Sequence, residues 1–491
     1  MSSRLRLVVL VLAALAVANG LDFGASTQDD AFISFRYAGN LLNGHGLVYN
    51  PGEAVEGISN ISWTLLMAGF MGIGADPVAT SILLGLLSVA ALVAATAWLA
   101  REDGLWWLVA PTLVALDSQM VLEGVQGLEG VALGALNVVG AGLALKGRHR
   151  AAAALFALGV LTRPEAPLVP AMLYGGLLLH GLRVGRGRQA LKEALGVGAA
   201  LAAVLGLVTL WRYSTYGELL PNTYYAKTGG FAVPRGLVYL KAHMVQHGLL
   251  WTLVLMRPLL GTWSPRTWAL AIAVLGQTLW TVQVGGDFKP TGRFLLPVLG
   301  LMAVLACESA TLLASRLQDR VPAKALAGLL ALLAALNYGW MKQTCDVVAL
   351  DRHANLDARQ AAGNWLAQNA PTGTWLATHS AGAIPFYSGL PAIDMWGLND
   401  KHIARTVPDT MGQGLPGHEK TAPDYVFSRE PDLYIPEDWV VTLKPRQQEP
   451  GPGFPPSFSE EYVPLSIDLG DRWFQLWVRR DSEKVGGWLK R

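Results

Sequence analysis

Residues 77–100 read PVATSILLGLLSVAALVAATAWLA, a run of 24 residues without a charged side chain. An α-helix needs about 20 apolar residues to cross the hydrocarbon core of a bilayer, so this run predicts a membrane-spanning helix. The whole chain of 491 residues is 52% hydrophobic and only 15% charged. These proportions are far from those of a soluble domain. The sequence therefore predicts an integral membrane protein.

The apolar segments on both sides of this run predict about eleven transmembrane helices. Their approximate bounds are residues 5–21, 77–100, 104–121, 128–145, 151–162, 166–182, 194–213, 248–261, 268–284, 294–315 and 325–341. The segments at 151–162 and 248–261 are short enough to be half-helices that rest on their neighbours. Because so many apolar segments follow, the first segment is predicted to be a retained signal anchor and not a cleaved signal peptide.

Lysine and arginine collect in loops on one side of these segments, around residues 146–150, 183–192 and 316–324. Loops rich in these residues stay in the cytoplasm. We therefore predict a multi-pass plasma membrane protein with a cytoplasmic N-terminus, whose loop 22–76 and C-terminal region are extracytoplasmic. The apolar stretch 61–74 is predicted to lie in the membrane interface as a juxtamembrane helix, because a span there would move basic loops outside.

Charge divides the chain into two predicted domains. Residues 342–491 hold 19 of the 36 acidic residues, which predicts a transmembrane domain at 1–341 and a water-exposed domain at 342–491. In the second domain, the spacing of ARQAAGNWLAQNAP predicts a helix that stops at Pro371. Short strands are predicted at TWLATHSA, PAIDMWGL, DYVFS and RWFQLWVRR, separated by Gly and Pro turns. This domain is predicted to be a mixed α/β unit.

Two adjacent carboxylates, Asp29 and Asp30, follow the first apolar segment. One interpretation is that both sit in a first helical turn, where the helix macrodipole favours acids. The other is catalytic: a carboxylate near the membrane surface, with its pKa raised by partial desolvation, can accept the proton of an attacking hydroxyl. Its neighbour would then orient Arg36 or a divalent cation. The sequence does not decide which aspartate is the base.

Polar residues interrupt three other loops on the same predicted side, in LTRPEAP, GELLPNTYYAKTGG and GGDFKPTGRFLLP. Together their cations suggest a site for a phosphate at the membrane surface. The candidate donor-phosphate and substrate residues are Arg36, Arg163, Glu165, Tyr224, Lys227, Asp287, Lys289 and Arg293. Two alternatives stay open: Arg163 and Glu165 form a structural ion pair, and Lys227 simply extends toward water.

In the C-terminal region, IDMWGLNDKHIAR and GHEK place polar residues near turns. The acceptor-side candidates are Asn399, Asp400, Lys401, His402 and His418. The alternative is a solvated surface without a ligand. We expect His379 to be a packed strand residue.

Several classes of function are not supported. A net charge of +2 without basic and aromatic clusters predicts no nucleic-acid partner. Two cysteines are too few for a disulfide framework or a zinc site. The chain has no Gly-rich phosphate loop followed by Lys, no HExxH, no CxxC and no GxSxG.

The stretch from Asp29 that begins DDAFISFRYAGNLLNGHGLVYN, followed by GLEGVALGAL, TRPEAP, YGELLPNTYYAKTGG, GGDFKPTGRFLLP and IPFYSGLPAIDMWGLND, resembles the bacterial GT-C glycosyltransferases that use a polyprenyl-phosphate sugar. Within that superfamily it is most similar to the terminal β-(1→2)-arabinofuranosyltransferases of actinobacterial cell-wall arabinan. The resemblance implies a catalytic aspartate in the first external loop, juxtamembrane helices and a capping extracytoplasmic domain. One departure is GLEG at Gly127 to Gly130, where many relatives have Thr in the last position.

The expected function is therefore transfer of a sugar, D-arabinofuranose by the resemblance, from a polyprenyl-phosphate donor to a cell-envelope glycan. A base opposite the leaving phosphate predicts inversion at the anomeric carbon. The need for a divalent cation is left open. The alternatives are a lipid-linked sugar flippase, a glycan-binding scaffold, and a GT-C transferase for another pentose or hexose with a protein or glycolipid acceptor.

Overall fold

A computed structural model describes residues 3–101, 104–230, 232–261, 263–289, 291–435, 440–446 and 454–490. Its helices are α1 (Ser3–Phe23), α2 (Asp29–Leu42), α3 (Ile61–Gly72), α4 (Pro77–Ala100), α5 (Val109–Ala115), α6 (Ser118–Val125), α7 (Gly130–Leu145), α8 (His149–Thr162), α9 (Leu168–Arg183), α10 (Gly187–Tyr216), α11 (Asn222–Lys227), α12 (Val233–Gln246), α13 (Gly248–Met256), α14 (Pro265–Gln283), α15 (Leu296–Leu317), α16 (Ala323–Asn369), α17 (Ala383–Ser388), α18 (Lys401–Ala404), α19 (Pro423–Ser428) and α20 (Phe458–Glu461). The strands are β1 (Leu376–Thr378), β2 (Ala392–Asp394), β3 (Leu433–Ile435), β4 (Val441–Thr442), β5 (Tyr462–Asp468) and β6 (Trp473–Arg479).

The predicted spans all coincide with helices, but fewer of them are long and apolar enough to cross a bilayer. In the described residues, five helices meet that criterion, or six if the bent pair Trp106–Ala115 and Ser118–Val125 forms one span. Several of the others, such as α8 with 14 residues and α9 with 16, are too short by themselves. The count of eleven therefore stays a prediction. The stretch at 61–74 forms α3, whose 12 residues are likewise too short to span.

Local chemistry explains how the decisive run becomes a helix. Asp76 caps α4, because its carboxylate accepts a hydrogen bond from the backbone amide of Ala79 at 2.7 Å, and Pro77 occupies the first turn. A glycine on α4 allows a close crossing with α6: a Cβ atom on Gly85 would collide with the carbonyl of Gly124. The helical body thus packs backbone against backbone at this crossing.

The C-terminal domain is a mixed sheet covered by helices. Strands β2, β1 and β3 run parallel, and β6 is antiparallel to β3, β4 and β5. The strands predicted around β1, β2 and β6 are confirmed, and the predicted helix before Pro371 is the end of α16. The predicted strand DYVFS is wrong, since it forms α19. Pro423 at its first position and Asp424 in its first turn both favour a helix start.

The long helix α16 joins the two parts of the protein. Its 47 residues span about 70 Å at 1.5 Å per residue. The predicted domain boundary after Met341 falls inside this continuous helix. Near its C-terminal end, Ala362 and Leu366 are fully buried in the core that also contains strands β1, β3 and β6. The C-terminal sheet is therefore built directly on a helix that begins in the apolar body.

Helix α2 is shared between the two parts and carries Arg36 into the interface. Arg36 is 8% exposed and donates hydrogen bonds to the carbonyls of Tyr49 at 2.7 Å and Leu390 at 2.8 Å. It also bonds the carbonyl of Pro385 and the side chain of Asn50. A guanidinium committed in this way holds the C-terminal domain on α2. These contacts give no support to the prediction that Arg36 binds substrate, which stays untested.

We predict that Arg36→Met destabilises the protein by about 3 kcal/mol or more, because it leaves several buried carbonyls without a donor. Thermal unfolding in detergent and limited proteolysis of the C-terminal domain measure this effect. Arg472→Met is the matched control: Arg472 pairs with Asp471, which is 70% exposed, and its loss is expected to cost at most about 0.5 kcal/mol. Equal losses in the two variants would contradict the role given to Arg36.

Candidate functional site

The first residue of α2, Asp29, is bonded to the C-terminal domain. Its carboxylate oxygens accept hydrogen bonds from the backbone amides of Gly382 and Ala383, each at 2.9 Å. Arg359 of α16 lies 3.5 Å from the same carboxylate. These amides open α17, so Asp29 caps a helix from a distant part of the chain. A Cβ atom at position 382 would collide with the carbonyl oxygen of Asp29, which requires glycine there.

The adjacent Asp30 remains accessible beside Lys227, Lys289 and Arg293, and we call the space bounded by these side chains the cleft. The side chain of Asp30 is 36% exposed, and its carboxylate lies 3.7 Å from the guanidinium of Arg293. Burial raises the pKa of Asp30, but the neighbouring cations, Lys289 and Arg293 above all, outweigh it and lower the pKa to about 2. The expected raised pKa is therefore wrong for this residue. Asp30 is a fully ionised carboxylate opposite positive charge.

The cations come mainly from the loop between α14 and α15. Arg293 forms an ion pair with Asp287 and donates a second hydrogen bond to it at 3.0 Å. Lys289 is 1% exposed, and its ammonium donates to the amide oxygen of Gln126 at 3.2 Å and lies 3.8 Å from Glu123. Burial, together with the charge of Arg293, lowers the pKa of Lys289 to about 8. The side chain of Lys289 is therefore held in place on protein acceptors close to Asp30.

Three polar side chains below this loop were missed from the sequence: Glu123, Gln126 and Glu129. Each is at most 3% exposed. Glu123 accepts a hydrogen bond from the hydroxyl of Thr291, and Glu129 accepts one from the amide of Asn60 at 2.7 Å. Their spacing of three residues inside an otherwise apolar stretch was the available signal, because ionisable residues in such segments usually serve a function.

Of the two interpretations of Arg163, the ion pair is the one that the structure shows. Its guanidinium pairs with Glu165 and lies 2.8 Å from Glu129. It is near enough to Arg293 for the two charges to repel. Two carboxylates neutralise the guanidinium of Arg163. It therefore supports the structure beside the cleft and supplies little net positive charge.

Lys227, at the end of α11, differs from the other cations. Its side chain is exposed, and within the described part of the chain it has no hydrogen bond or ion pair. Although Lys227 reaches the surface, desolvation by the surrounding protein, together with the charge of Arg293, lowers its pKa. An accessible cation without a protein counter-ion suits a negatively charged ligand. The nearby Tyr224 is 49% exposed and packs on Tyr225, so its role stays a prediction.

The acceptor-side candidates separate into two groups. Asn399 donates to Asp394 at 2.9 Å, and Asp400 caps α18 through the amides of His402 and Ile403. Both side chains are buried. Their polar atoms are used inside the domain, so these contacts give no support to an acceptor-binding role, which stays a prediction.

The remaining candidates lie nearer the surface. Lys401 donates to the carbonyl of Tyr216 at 2.7 Å, and His402 stacks on Tyr425 with ring centroids 4.0 Å apart. His418 lies closest to the cleft: it contacts the ring of Phe288 at 4.6 Å. A role in acceptor binding stays a prediction for these three residues.

No group of three or more His, Cys, Asp or Glu side chains suited to a metal ion occurs among the described residues. Both oxygens of Asp29 already accept backbone amides. The geometry thus gives no support for a cation shared by Asp29 and Asp30, and the metal requirement stays open.

Comparison with solved structures establishes the fold. The crystal structure of ArnT from Cupriavidus metallidurans bound to undecaprenyl phosphate aligns with a TM-score of 0.61 at 11% identity, over 97% of this chain and 98% of that chain. The two proteins share a fold. The apo structure of the same protein aligns with a TM-score of 0.56 at 14% identity, over 96% and 97%. The predicted fold class, a polytopic helical body with a C-terminal α/β domain, is confirmed.

Sequence comparisons add less. A family model described as a domain of unknown function (DUF8728) matches residues 349–477, which cover the end of α16 and most of the C-terminal domain. No curated protein matches the sequence. The chemistry of the cleft therefore has to be inferred from its own residues.

We predict that Lys227→Met raises the midpoint of thermal unfolding of the ligand-free protein. The lowered pKa of Lys227 means that the fold disfavours its charge, so removing the charge relieves repulsion from Arg293. Lys420→Met is the control, because the ammonium of Lys420 donates to the carbonyls of Tyr225 and Ala404 at 2.7 and 2.8 Å. That variant is expected to lower the midpoint. A drop for Lys227→Met as large as for the control would contradict this assignment.

Proposed function

We propose that this protein is an inverting membrane glycosyltransferase that moves a sugar from a polyprenyl-phosphate donor to a cell-envelope glycan on the extracytoplasmic side. The sugar is D-arabinofuranose in this proposal. Asp30 is the catalytic base, and Lys289, Arg293 and Lys227 bind the donor phosphate. The acceptor enters from the side of the C-terminal domain.

The observation that carries the proposal is the pairing of an accessible carboxylate with clustered cations in one cleft. The carboxylate of Asp30 is 3.7 Å from Arg293, and Lys289 and Lys227 also act on its charge. Such a cleft offers both a proton acceptor and a binding place for an anionic leaving group. The shared fold with a protein crystallised with undecaprenyl phosphate supports a lipid phosphate as that anion.

The reaction is a single displacement at the anomeric carbon. An acceptor hydroxyl attacks the carbon, Asp30 takes the hydroxyl proton, and the bond between that carbon and the phosphate oxygen breaks. The electron pair of that bond leaves with the polyprenyl phosphate. Because the nucleophile and the leaving group occupy opposite faces of the carbon, the configuration inverts.

The donor itself adjusts the strength of the base. A carboxyl group with a pKa of about 2 is a weak proton acceptor. A bound phosphate diester adds negative charge beside Lys289 and Arg293, which reduces the net positive charge acting on Asp30 and raises its pKa. The carboxylate thus becomes a better base when the donor is present. As the leaving phosphate gains charge, the same cations stabilise it.

The choice of sugar rests on the resemblance of the quoted motifs to arabinofuranosyltransferases. In the structure, the departure at Gly130 lies at the start of α7, directly after Glu129. Transfer of another pentose or hexose is the nearest alternative. A flippase would use the same lipid phosphate but would form no glycosidic bond.

We predict that Asp30→Asn lowers the rate of transfer by about 10²- to 10⁴-fold, the usual contribution of a general base. The assay uses purified protein in nanodiscs, synthetic polyprenyl-phospho-arabinose and an arabinan oligosaccharide. Asp29→Asn keeps the base and is expected to lower thermal stability while retaining most of the activity per folded molecule.

Unchanged transfer in Asp30→Asn would overturn the assignment of the base. Transfer of a hexose but not of arabinose would correct the sugar and leave the mechanism standing. Movement of the donor across vesicles without any product would favour the flippase. The anomeric configuration of the product, measured by NMR, checks the inversion.

The pKa of Lys289 predicts how donor binding depends on pH. In the free protein, the positive charge of Lys289 is present below about pH 8 and is lost as the pH rises through that value. Affinity for undecaprenyl phosphate is therefore expected to be highest below pH 8 and to fall above it. Arginine keeps its proton throughout this range, so Lys289→Arg is expected to remove most of the fall. Equal pH dependence in the two proteins would contradict the role of Lys289.

A further inference from the structure

A row of four half-buried rings leads from the cation cluster to the C-terminal sheet. The guanidinium carbon of Arg293 lies 5.8 Å from the ring centre of Phe288. Phe288 contacts His418 at 4.6 Å, His418 contacts Trp396 at 5.3 Å, and Trp396 contacts His379 at 4.6 Å. We call Phe288, His418, Trp396 and His379 the ring row. It begins where the charged part of the cleft ends.

The far end of the ring row lies at the carboxyl edge of the parallel strands. His379 directly follows β1, and Trp396 comes two residues after β2, its parallel partner. Ligands of open α/β sheets bind outside the carboxyl ends of such strands. The topology therefore places aromatic side chains at an edge suited to binding.

Unused hydrogen-bonding atoms occur at the same end. Among the described residues, the hydroxyl oxygen of Ser380 and Nδ1 of His379 are buried and have no hydrogen-bond partner, and Ser380 is 4% exposed overall. Burial lowers the pKa of His379 to about 4, so its imidazole is neutral near pH 7, with one donor and one acceptor nitrogen. Buried polar atoms are normally satisfied, so these two atoms are available to a ligand that brings hydroxyl groups.

We propose that the ring row is the binding surface for the acceptor glycan and determines its orientation; this inference rests on the proposed function. Sugar rings present apolar faces that stack on aromatic rings and hydroxyls that both donate and accept hydrogen bonds. The row carries no carboxylate or ammonium group, so it suits an uncharged glycan and not a second phosphate. Its near end adjoins Arg293, 3.7 Å from Asp30, where a hydroxyl of the bound acceptor meets the base.

The test measures acceptor and donor separately with the full-length protein in nanodiscs. Titration of an arabinan oligosaccharide without donor is expected to show an affinity at least about tenfold weaker in Trp396→Leu, which corresponds to about 1.4 kcal/mol of lost stacking and burial. Affinity for undecaprenyl phosphate is expected to be unchanged. In the transfer assay, KM for the acceptor rises and kcat changes little.

Trp488→Leu is the matched control. Trp488 is also half-buried in the C-terminal domain, but it packs on Trp365 of α16 with ring centroids 5.1 Å apart. This variant is expected to lose stability and keep its acceptor affinity. At the polar end, His379→Ala is expected to weaken acceptor binding, and His379→Gln to restore part of it, because an amide both donates and accepts.

Unchanged acceptor affinity in Trp396→Leu, or equal loss of donor and acceptor binding, would overturn the proposal that the ring row binds the acceptor. Saturable binding of the oligosaccharide that depends on Trp396, without any transfer, would support the ring row and reject the proposed function. Binding of a neutral mannan oligosaccharide in place of arabinan would support the row and correct the sugar.

Discussion

The site depends on the fact that Asp29 and Asp30, although adjacent in α2, contact different parts of the protein. Successive residues of an α-helix point about 100° apart, so fixing one side chain directs the next one elsewhere. The C-terminal domain holds Asp29 through the amides of Gly382 and Ala383. Asp30 is thereby turned toward the cleft and its cations. The docking of the C-terminal domain and the exposure of the proposed base are consequences of the same contact.

This arrangement explains why charged residues from distant loops can be kept so close together. Arg293 has Asp287, Arg163 has Glu165 and Glu129, and Lys289 has Gln126 and Glu123. Each of these cations is held by an acceptor that fixes its position, so an arriving anion meets a preformed site. Burial, and after it the remaining repulsion from Arg293, lower the pKa values of Lys289 and Lys227. A ligand phosphate would relieve it.

Much of the fold could be predicted from local pattern. Uncharged runs such as residues 77–100 determine helices by composition alone, and short segments between Gly and Pro turns predict the strands around β1 and β6. Partners distant in sequence could not be predicted. The hydrogen bonds of Arg36 to the carbonyls of Leu390 and Pro385 join positions more than 300 residues apart. An arginine that looked like a substrate ligand in the sequence therefore holds α2 to the C-terminal domain. Residues 424–428 form a helix because Pro423 favours a helix start. The apolar pattern there is too short to distinguish the period of a helix from that of a strand.

The pKa of Asp30 shows most clearly where local reasoning is insufficient. Neighbours in sequence suggest an isolated carboxylate in an apolar setting, for which burial alone would raise the pKa. The fold brings cations from two other loops close to Asp30. Their attraction for the ionised carboxylate outweighs the effect of desolvation, so the pKa is lowered. In the free protein, the carboxyl group of Asp30 has therefore already lost its proton. In the proposed mechanism, the limiting requirement moves to the donor, whose phosphate must offset the cations before Asp30 can hold a proton. A base controlled in this way accepts a proton efficiently only when the lipid phosphate is bound, because the negative charge of the phosphate raises the pKa of the carboxylate.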